Sequence, residues 1–260
     1  MTFEELNLSA PVLRAVREAG YTVPSPIQAA AIPPVLAGRD LMGCAQTGTG
    51  KTAAFGLPML DRLAAAKPKK PGAVRALILT PTRELALQIG ESFAAYGKYL
   101  PLRSTVIFGG VGQAPQVQAL RSGVEILVAC PGRLNDLIGQ GHVDLSGVEI
   151  FVLDEADRML DMGFIRDVTR ILDLMPQRRN LGLFSATISR EVMDISWVYQ
   201  RDPVEITVRA DEQNKPDITQ YRLDVDRNEK VDTMVRLMEI GGYDRVIAFC
   251  NTKNMTDRLS

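Results

Sequence analysis

The chain has 260 residues, of which 46% are apolar and 23% charged, so its composition is that of a folded protein and excludes a disordered one. Its 30 lysines and arginines balance 31 aspartates and glutamates, which excludes a nucleic-acid binder that works through bulk positive charge. Three separated cysteines and a single histidine argue against a disulfide framework or a zinc site and fit the reducing cytoplasm. The acidic start and the lack of an apolar run of about 18 residues predict neither a signal peptide nor a membrane span.

The chain begins with two predicted helices, at about residues 9–19 and 25–36, which we interpret as an N-terminal attachment over 1–36. Residues 37–208 then alternate helical stretches with short runs that are apolar almost throughout, as in strands buried on both faces. This alternation predicts βαβ units that build a parallel sheet with helices on both faces and ligands at its carboxyl edge. The predicted strands are Leu41–Cys44, Ala76–Leu79, Thr105–Phe108, Ile126–Ala129, Ile150–Leu153, Leu181–Phe184 and Val204–Val208.

A polar, proline-containing stretch at residues 209–217 has the composition of a linker. Residues 218–260 then predict a strand at Ile218–Val225, a helix at about Glu229–Glu239 and a strand at Val246–Phe249. So short a β-α-β-α segment is too small to bury a core of its own. We therefore expect the chain to stop inside a second, truncated α/β lobe.

A glycine-rich octapeptide follows the first predicted strand and precedes a predicted helix. Its glycines let backbone N–H groups turn toward a phosphate, the lysine reaches phosphate oxygens, and the final hydroxyl can bind Mg²⁺. A glycine-rich turn with an accidental Gly-Lys-Thr is the alternative, which the flanking strand and helix make less favourable. The predicted phosphate-binding loop is Ala45-Gln46-Thr47-Gly48-Thr49-Gly50-Lys51-Thr52.

Two acids follow the fifth predicted strand, in the tetrapeptide Asp154-Glu155-Ala156-Asp157. A nucleoside triphosphatase needs one carboxylate to hold Mg²⁺, partly through water, and a second to orient or deprotonate the attacking water. We assign Asp154 to the metal, together with Thr52, and Glu155 to the water. Acids that merely favour a helix dipole are the alternative for this pattern taken alone.

The tetrapeptide is the motif that names the DEAD-box RNA helicases, and the chain resembles that family from Phe3 to about Thr252. Pro24-Ser25-Pro26-Ile27-Gln28, with Tyr21 and Phe3 upstream, resembles the family's Q motif. The resemblance implies a RecA-like ATPase lobe that uses ATP and Mg²⁺, with Gln28 reading the adenine edge and Tyr21 stacking on its ring. An exposed helix residue is the alternative for Gln28 taken alone.

Further segments at predicted strand ends resemble motifs that hold the RNA backbone or couple the two sites. Hydroxyl, guanidinium and glycine N–H groups suit phosphates and read no bases. Cys130 replaces the usual threonine of its motif, which removes a hydroxyl and leaves a weak thiol donor. The implied RNA-binding residues are Pro81, Thr82, Arg83, Gly109, Gly110, Pro131, Gly132 and Arg133, and the implied coupling residues are Asp157, Ser185, Ala186 and Thr187. A helix N-cap is the alternative for Ser185–Thr187.

The sequence therefore predicts an ATP-dependent RNA helicase that binds RNA and adenine nucleotide, with no membrane and no DNA partner expected. The later motifs of the family are not found, so we expect this fragment to bind ATP or ADP and to be nearly inactive without the rest of the second lobe. A non-catalytic RNA clamp is one rival, which Glu155 argues against. A DNA-directed P-loop ATPase is another, which the Gln28 segment argues against.

Overall fold

A computed structural model describes residues 1–68, 70–175, 180–208, 219, 221–226, 229–250 and 252–259. The chain divides into two compact units, Met1–Glu212 and Gln213–Ser260, each of which is described by itself. No helix within these described ranges is long and apolar enough to cross a membrane. The predicted linker, residues 209–217, lies outside the described residues.

The first unit is built on a seven-stranded parallel sheet with the strand order β3-β4-β2-β5-β6-β1-β7. Each strand is short and largely apolar, as expected where helices cover both faces. The strands are β1 (Leu41–Cys44), β2 (Ala76–Leu79), β3 (Ser104–Ile107), β4 (Ile126–Ala129), β5 (Ile150–Leu153), β6 (Asn180–Ser185) and β7 (Val204–Thr207). Leu79 at the end of β2 is in register with Ala129 of β4 and Leu153 of β5, so the carboxyl ends meet at one edge.

Two helices precede the first strand, and those that follow connect successive strands of this sheet. They are α1 (Ala10–Glu18), α2 (Pro26–Leu36), α3 (Lys51–Ala65), α4 (Arg83–Tyr96), α5 (Ala114–Arg121), α6 (Pro131–Gly139), α7 (Ala156–Asp161), α8 (Ile165–Asp173) and α9 (Arg190–Tyr199), and a 3₁₀ turn lies at Glu4–Leu6. Pro26 at the first position of α2 and Pro131 at that of α6 are favourable there, because this position needs no backbone donor.

Two hydrophobic clusters cover the two faces of the sheet. Along β5, Ile150 and Val152 belong to one cluster, whereas Phe151 and Leu153 belong to the other, as the alternation of side chains along a strand requires. The first cluster also contains Val12 of α1 and residues of α2, so the N-terminal helices share its core. The predicted α/β sheet with helices on both faces is therefore confirmed.

The second unit contains the helices α10 (Lys230–Gly241) and α11 (Lys253–Leu259) and no strand among its described residues. The strand predicted at Val246–Phe249 is wrong, and the described residues 219 and 221–225 of the other predicted strand are not in a strand either. Ile247 is 81% exposed and Phe249 is 94% exposed. An isolated apolar run forms no strand where neither a hydrogen-bonded neighbour nor a packed face holds it.

Candidate nucleotide and nucleic-acid sites

The predicted phosphate-binding loop connects β1 to α3. Gly48 and Gly50 have φ values of 84° and 90°, a left-handed backbone that glycine adopts without strain. Lys51 begins α3 and is only 6% exposed, and its Nζ has no hydrogen-bond partner among the described residues. A buried ammonium without a partner costs free energy, so this geometry suits an anion beside Lys51.

The Gln28 segment fastens this loop. Ser25 Oγ donates to the carbonyl of Thr49 at 2.7 Å, and Gln28 Nε2 donates to the carbonyl of Gly50 at 3.2 Å. Gln28 Oε1 accepts from the backbone N–H of Ser25 at 2.9 Å, and the side chain is buried, so the exposed-residue alternative is wrong. One amide donor and one lone pair remain for an adenine edge. The Ser-x-x-Gln spacing of a capping box could have signalled this structural role.

The two aromatic residues of the predicted Q motif differ in exposure. Phe3 is buried, whereas Tyr21 is 38% exposed, and their rings stack with centroids 6.4 Å apart. The Tyr21 hydroxyl lies 3.0 Å from the hydroxyl of Tyr96, whose pKa is raised by burial and by this contact. Phe3 and Tyr21, with Leu13, Val16 and neighbouring residues, line a cavity of about 260 Å³. Phe3 therefore packs beneath Tyr21, whose ring is the more solvent-exposed of the two.

The predicted catalytic acids lie at the end of β5, where Asp154 is 2% exposed and Glu155 is 8% exposed. Burial raises the pKa of Asp154 to about 6, an effect that the positive charge of Lys51 opposes and the negative charge of Glu155 reinforces. Glu155 has φ 53° and ψ 51°, a left-handed conformation that is strained for a residue with a Cβ. Arg158 Nη1 donates to Glu155 Oε2 at 3.1 Å and fixes that carboxylate.

The oxygen donors present fit a magnesium ion. No group of three histidine, cysteine or acidic residues that could hold a metal occurs within the described part of the chain. Mg²⁺ in phosphate-binding sites commonly takes one or two protein oxygens, with phosphate and water completing its octahedron. The buried carboxylate of Asp154 and the Thr52 hydroxyl have the required chemistry, and a cation would favour the ionised form of Asp154.

The predicted coupling residues join the ends of β5 and β6. Asp157 Oδ2 accepts from the Thr187 backbone N–H at 2.9 Å and from its hydroxyl at 2.8 Å, while Ser185 Oγ accepts from the Asp157 N–H. Burial by itself would raise the pKa of Asp157, but the hydrogen bonds from Thr187 and Ser185 hold it below its usual value. Ser189, not Ser185–Thr187, caps α9, so the N-cap alternative is wrong. Ala186 contributes its carbonyl, which accepts from Cys44 Sγ.

The predicted RNA-binding residues follow β2, β3 and β4. After β2, Pro81 is buried, Thr82 caps α4 by accepting from the Leu85 N–H at 3.3 Å, and Arg83 is exposed. Gly109 and Gly110 are exposed after β3.

After β4, Pro131 is buried and Gly132 is exposed in the first turn of α6. Arg133 Nη2 donates to the Val111 carbonyl at 2.9 Å, and its buried Nη1 has no partner among the described residues. Burial, reinforced by the charge of Glu84, raises the pKa of Cys130 to about 11, so its thiol remains neutral.

The strand order separates these two sets along one edge of the sheet. The phosphate-binding loop follows β1, Asp154–Asp157 follow β5, and Ser185–Thr187 lie at the end of β6. These three strands are neighbours in the sheet. The candidate RNA residues follow β3, β4 and β2, which are neighbours on the other side of β5. The structure therefore places the strand-end residues of each predicted set at one half of the carboxyl edge.

A RecA-like parallel sheet with this loop and these acids defines a P-loop nucleotide-binding protein. The model of the family described as DEAD/DEAH box helicase matches residues 25–195, and the chain belongs to that family. Curated relatives include the ATP-dependent RNA helicase DeaD of Mycobacterium tuberculosis, 44% identical over the whole chain and 45% of the relative. The DEAD-box ATP-dependent RNA helicase CshA of Streptococcus pneumoniae is 40% identical over the whole chain and 49% of the relative. The chain thus spans about half the length of these relatives.

Solved structures resemble the fold as well. A DEAD box protein from the hyperthermophile Methanococcus jannaschii has a TM-score of 0.76 and 37% identity, covering 100% of this chain and 69% of that one. A hypothetical ATP-dependent RNA helicase from Sulfolobus tokodaii has a TM-score of 0.71 and 36% identity, covering 77% of this chain and 57% of that one. These similarities agree with the RecA-like fold class.

Proposed function

We propose that this chain is the ATP-binding and RNA-binding part of an ATP-dependent RNA helicase that couples ATP hydrolysis to RNA binding and local strand separation. The buried ammonium of Lys51 carries this proposal: it has no hydrogen-bond partner in the described part of the chain and interacts electrostatically with the buried carboxylate of Asp154. Such a pair of groups suits a phosphate with its metal ion and would be costly without a ligand. The relatives, which are named as ATP-dependent RNA helicases, support the same activity.

In the proposed site, Lys51 and the loop N–H groups hold the phosphates, while Gln28 and Tyr21 address the adenine. Bound Mg²⁺, held by Thr52 and Asp154, would neutralise charge on the phosphate oxygens. Glu155 accepts a proton from the attacking water as the water oxygen bonds to the γ-phosphorus and the bond to the β-phosphate oxygen breaks. Arg158 keeps the Glu155 carboxylate oriented through its 3.1 Å hydrogen bond.

The other half of the edge is proposed to hold the RNA backbone. Exposed glycines allow a phosphate to approach backbone N–H groups, and the N-termini of α4 and α6 add partial positive charge. Such contacts position a strand without reading its bases, so a chain of net charge −1 can bind RNA locally. The Asp157–Thr187 hydrogen bonds lie in the nucleotide half and are proposed to couple the two sites. A cytoplasmic location is proposed from composition.

Nucleotide binding tests the proposal first. We expect calorimetry to show that the chain binds ADP more tightly than GDP, and Lys51→Ala to weaken both about 100-fold by removing a charged phosphate contact. Lys67→Ala, an exposed lysine outside the site, is the control. Equal affinity for ADP and GDP would contradict the adenine assignment, and unchanged affinity in Lys51→Ala would contradict the phosphate site.

The role of Gln28 must be tested by the ratio of ADP to GDP affinity, because Gln28 also holds the phosphate-binding loop in place. Gln28→Ala should weaken both nucleotides through the lost bond to Gly50, and it should also lower the ADP-to-GDP preference. Gln118→Ala, on the exposed face of α5, is the matched control. A preference that survives in Gln28→Ala would assign adenine recognition elsewhere.

RNA and DNA strands of the same sequence separate the rival functions. We expect single-stranded RNA to bind in a salt-dependent manner, because phosphate contacts release counterions. Preference for DNA would favour the DNA-directed ATPase. Binding of RNA and nucleotide without turnover in a two-lobed version of the protein would favour the non-catalytic clamp.

A further inference from the structure

A buried glutamine holds the residue that follows β3. Gln116, in the first turn of α5 and only 8% exposed, accepts from the Phe108 backbone N–H at 3.2 Å and donates to the Phe108 carbonyl at 3.1 Å. The strand was predicted to reach Phe108, but β3 ends at Ile107. The side-chain amide of Gln116 therefore bonds the Phe108 backbone as a neighbouring strand would, and its oxygen and nitrogen together fix that backbone.

The fixed Phe108 contacts one of the candidate RNA residues. The guanidinium carbon of Arg83 lies 4.9 Å from the centroid of the Phe108 ring. Arg83 is exposed and forms no ion pair with the residues that the structure describes. A guanidinium that contacts an aromatic ring through its face keeps its N–H donors at the edge, where they can bind a phosphate.

We propose that Phe108, held by Gln116, is a positioning residue that orders the Arg83 guanidinium for a phosphate of the RNA backbone. This inference rests on the proposed function, since it assigns the means by which part of the RNA half is ordered. Arg83 follows β2 and Phe108 follows β3, and the two strands lie on either side of β4. The contact therefore spans the RNA half of the edge. It fixes the position of the Arg83 guanidinium relative to Gly109, the next residue after Phe108.

A double-mutant cycle on RNA affinity tests this assignment. With fluorescence anisotropy on a single-stranded RNA, Arg83→Ala should weaken binding about tenfold through the loss of a charged phosphate contact. Phe108→Leu should weaken it about two- to fivefold, and Phe108→Tyr should restore it because the ring remains. The double variant Arg83→Ala with Phe108→Leu should bind no more weakly than Arg83→Ala alone, because Phe108 acts through Arg83.

Two further variants keep the test decisive. Gln116→Leu removes both hydrogen bonds to the Phe108 backbone without adding a charge, so it should weaken RNA binding only while Arg83 is present. Arg121→Ala, an exposed arginine on the same α5 helix, should leave RNA affinity unchanged.

The outcomes separate this assignment from the proposed function. Additive losses, or a Phe108→Leu protein with unchanged affinity, would overturn the positioning role while leaving RNA binding intact. If Phe108→Leu does not fold, the dependence of the Gln116→Leu effect on Arg83 decides the question. Failure of the unsubstituted chain to bind RNA would overturn the proposed function and this assignment together.

Discussion

The two halves of the carboxyl edge solve different physical problems. In the nucleotide half, at the ends of β1, β5 and β6, Lys51, Asp154 and Glu155 are 6%, 2% and 8% exposed. In the RNA half, at the ends of β2, β3 and β4, Arg83 and the glycines are exposed. Burial of these charged groups lowers the stability of the fold, but it strengthens their interactions with a phosphate and its metal ion, which the chemistry requires. Exposed backbone and a surface arginine suit a polyanion that must be bound and released.

The largest effect should come from the acid assigned to the water. In a two-lobed version of the protein with residues 1–212 as its first lobe, Glu155→Gln should lower phosphate release by about 10²- to 10⁴-fold, because an amide cannot accept the proton. Nucleotide affinity should stay within about threefold, since the loop and Asp154 are intact.

Phosphate release and calorimetry on the same preparation separate turnover from binding. Glu91→Gln is a suitable control, because Glu91 is exposed on α4, away from the strand ends. Undiminished turnover in Glu155→Gln would show that another group activates the water. A large loss of nucleotide affinity would show instead that Glu155 supports the binding site.

The buried charge of the nucleotide half should give it a pH dependence. The pKa of Asp154 is raised to about 6, so its carboxyl is ionised above that pH and protonated below it. Because only the carboxylate can hold a cation, the Mg²⁺-dependent part of ATP affinity should fall about tenfold per pH unit below that value. Calorimetry between pH 5 and 8, with and without Mg²⁺, measures the effect.

Asp154→Asn separates this effect from the titration of the nucleotide. The variant should lose most of the Mg²⁺-dependent affinity at pH 8 and show no further break near pH 6. A break that persists in Asp154→Asn would belong to the nucleotide or to another group. RNA affinity should not follow this titration, since the RNA half contains no corresponding buried acid in its assigned set.

Local sequence patterns predicted the sheet and the phosphate-binding loop, because short apolar runs and Gly-Lys-Thr after a strand depend on neighbouring residues only. The RNA-binding and coupling residues were expected from the resemblance to the helicase family, not from such local patterns. Contacts between distant residues were not predictable. The Gln28 bond to the Gly50 carbonyl and the Gln116 clamp on Phe108 join elements whose approach only the fold determines. The strand predicted at Val246–Phe249 failed for the same reason, since an apolar run becomes a strand only beside a partner.

A single methyl group added at Gly132 should test whether the RNA backbone approaches this part of the RNA half. A Cβ at Gly132 meets nothing within 4 Å, and alanine favours a helix, so Gly132→Ala in α6 should keep or slightly raise stability. The methyl would stand where a phosphate is proposed to approach the backbone, so RNA affinity should fall about fivefold with unchanged nucleotide affinity. Anisotropy and thermal unfolding measure the two effects.

Gly139→Ala is the matched control for this variant. Gly139 ends the same helix, is also exposed, and its added Cβ meets nothing within 4 Å. It should leave RNA affinity unchanged. Equal RNA affinity in both alanine variants would remove Gly132 from the proposed interface, and equal losses would indicate an effect on α6 as a whole.

The smallest expected effect lies at Thr80, which follows β2 at the boundary between the two halves. Its backbone N–H donates to the Ala129 carbonyl, but its fully buried hydroxyl has no partner among the described residues. Thr80→Val replaces that hydroxyl with a methyl of similar size and should raise the free energy of unfolding by about 1 kcal/mol in urea denaturation. Thr80→Ser keeps the unpaired hydroxyl and loses a methyl, so it should lower the free energy of unfolding by about 1 kcal/mol. A Thr80→Val protein less stable than the unsubstituted chain would show that the hydroxyl is hydrogen-bonded in solution.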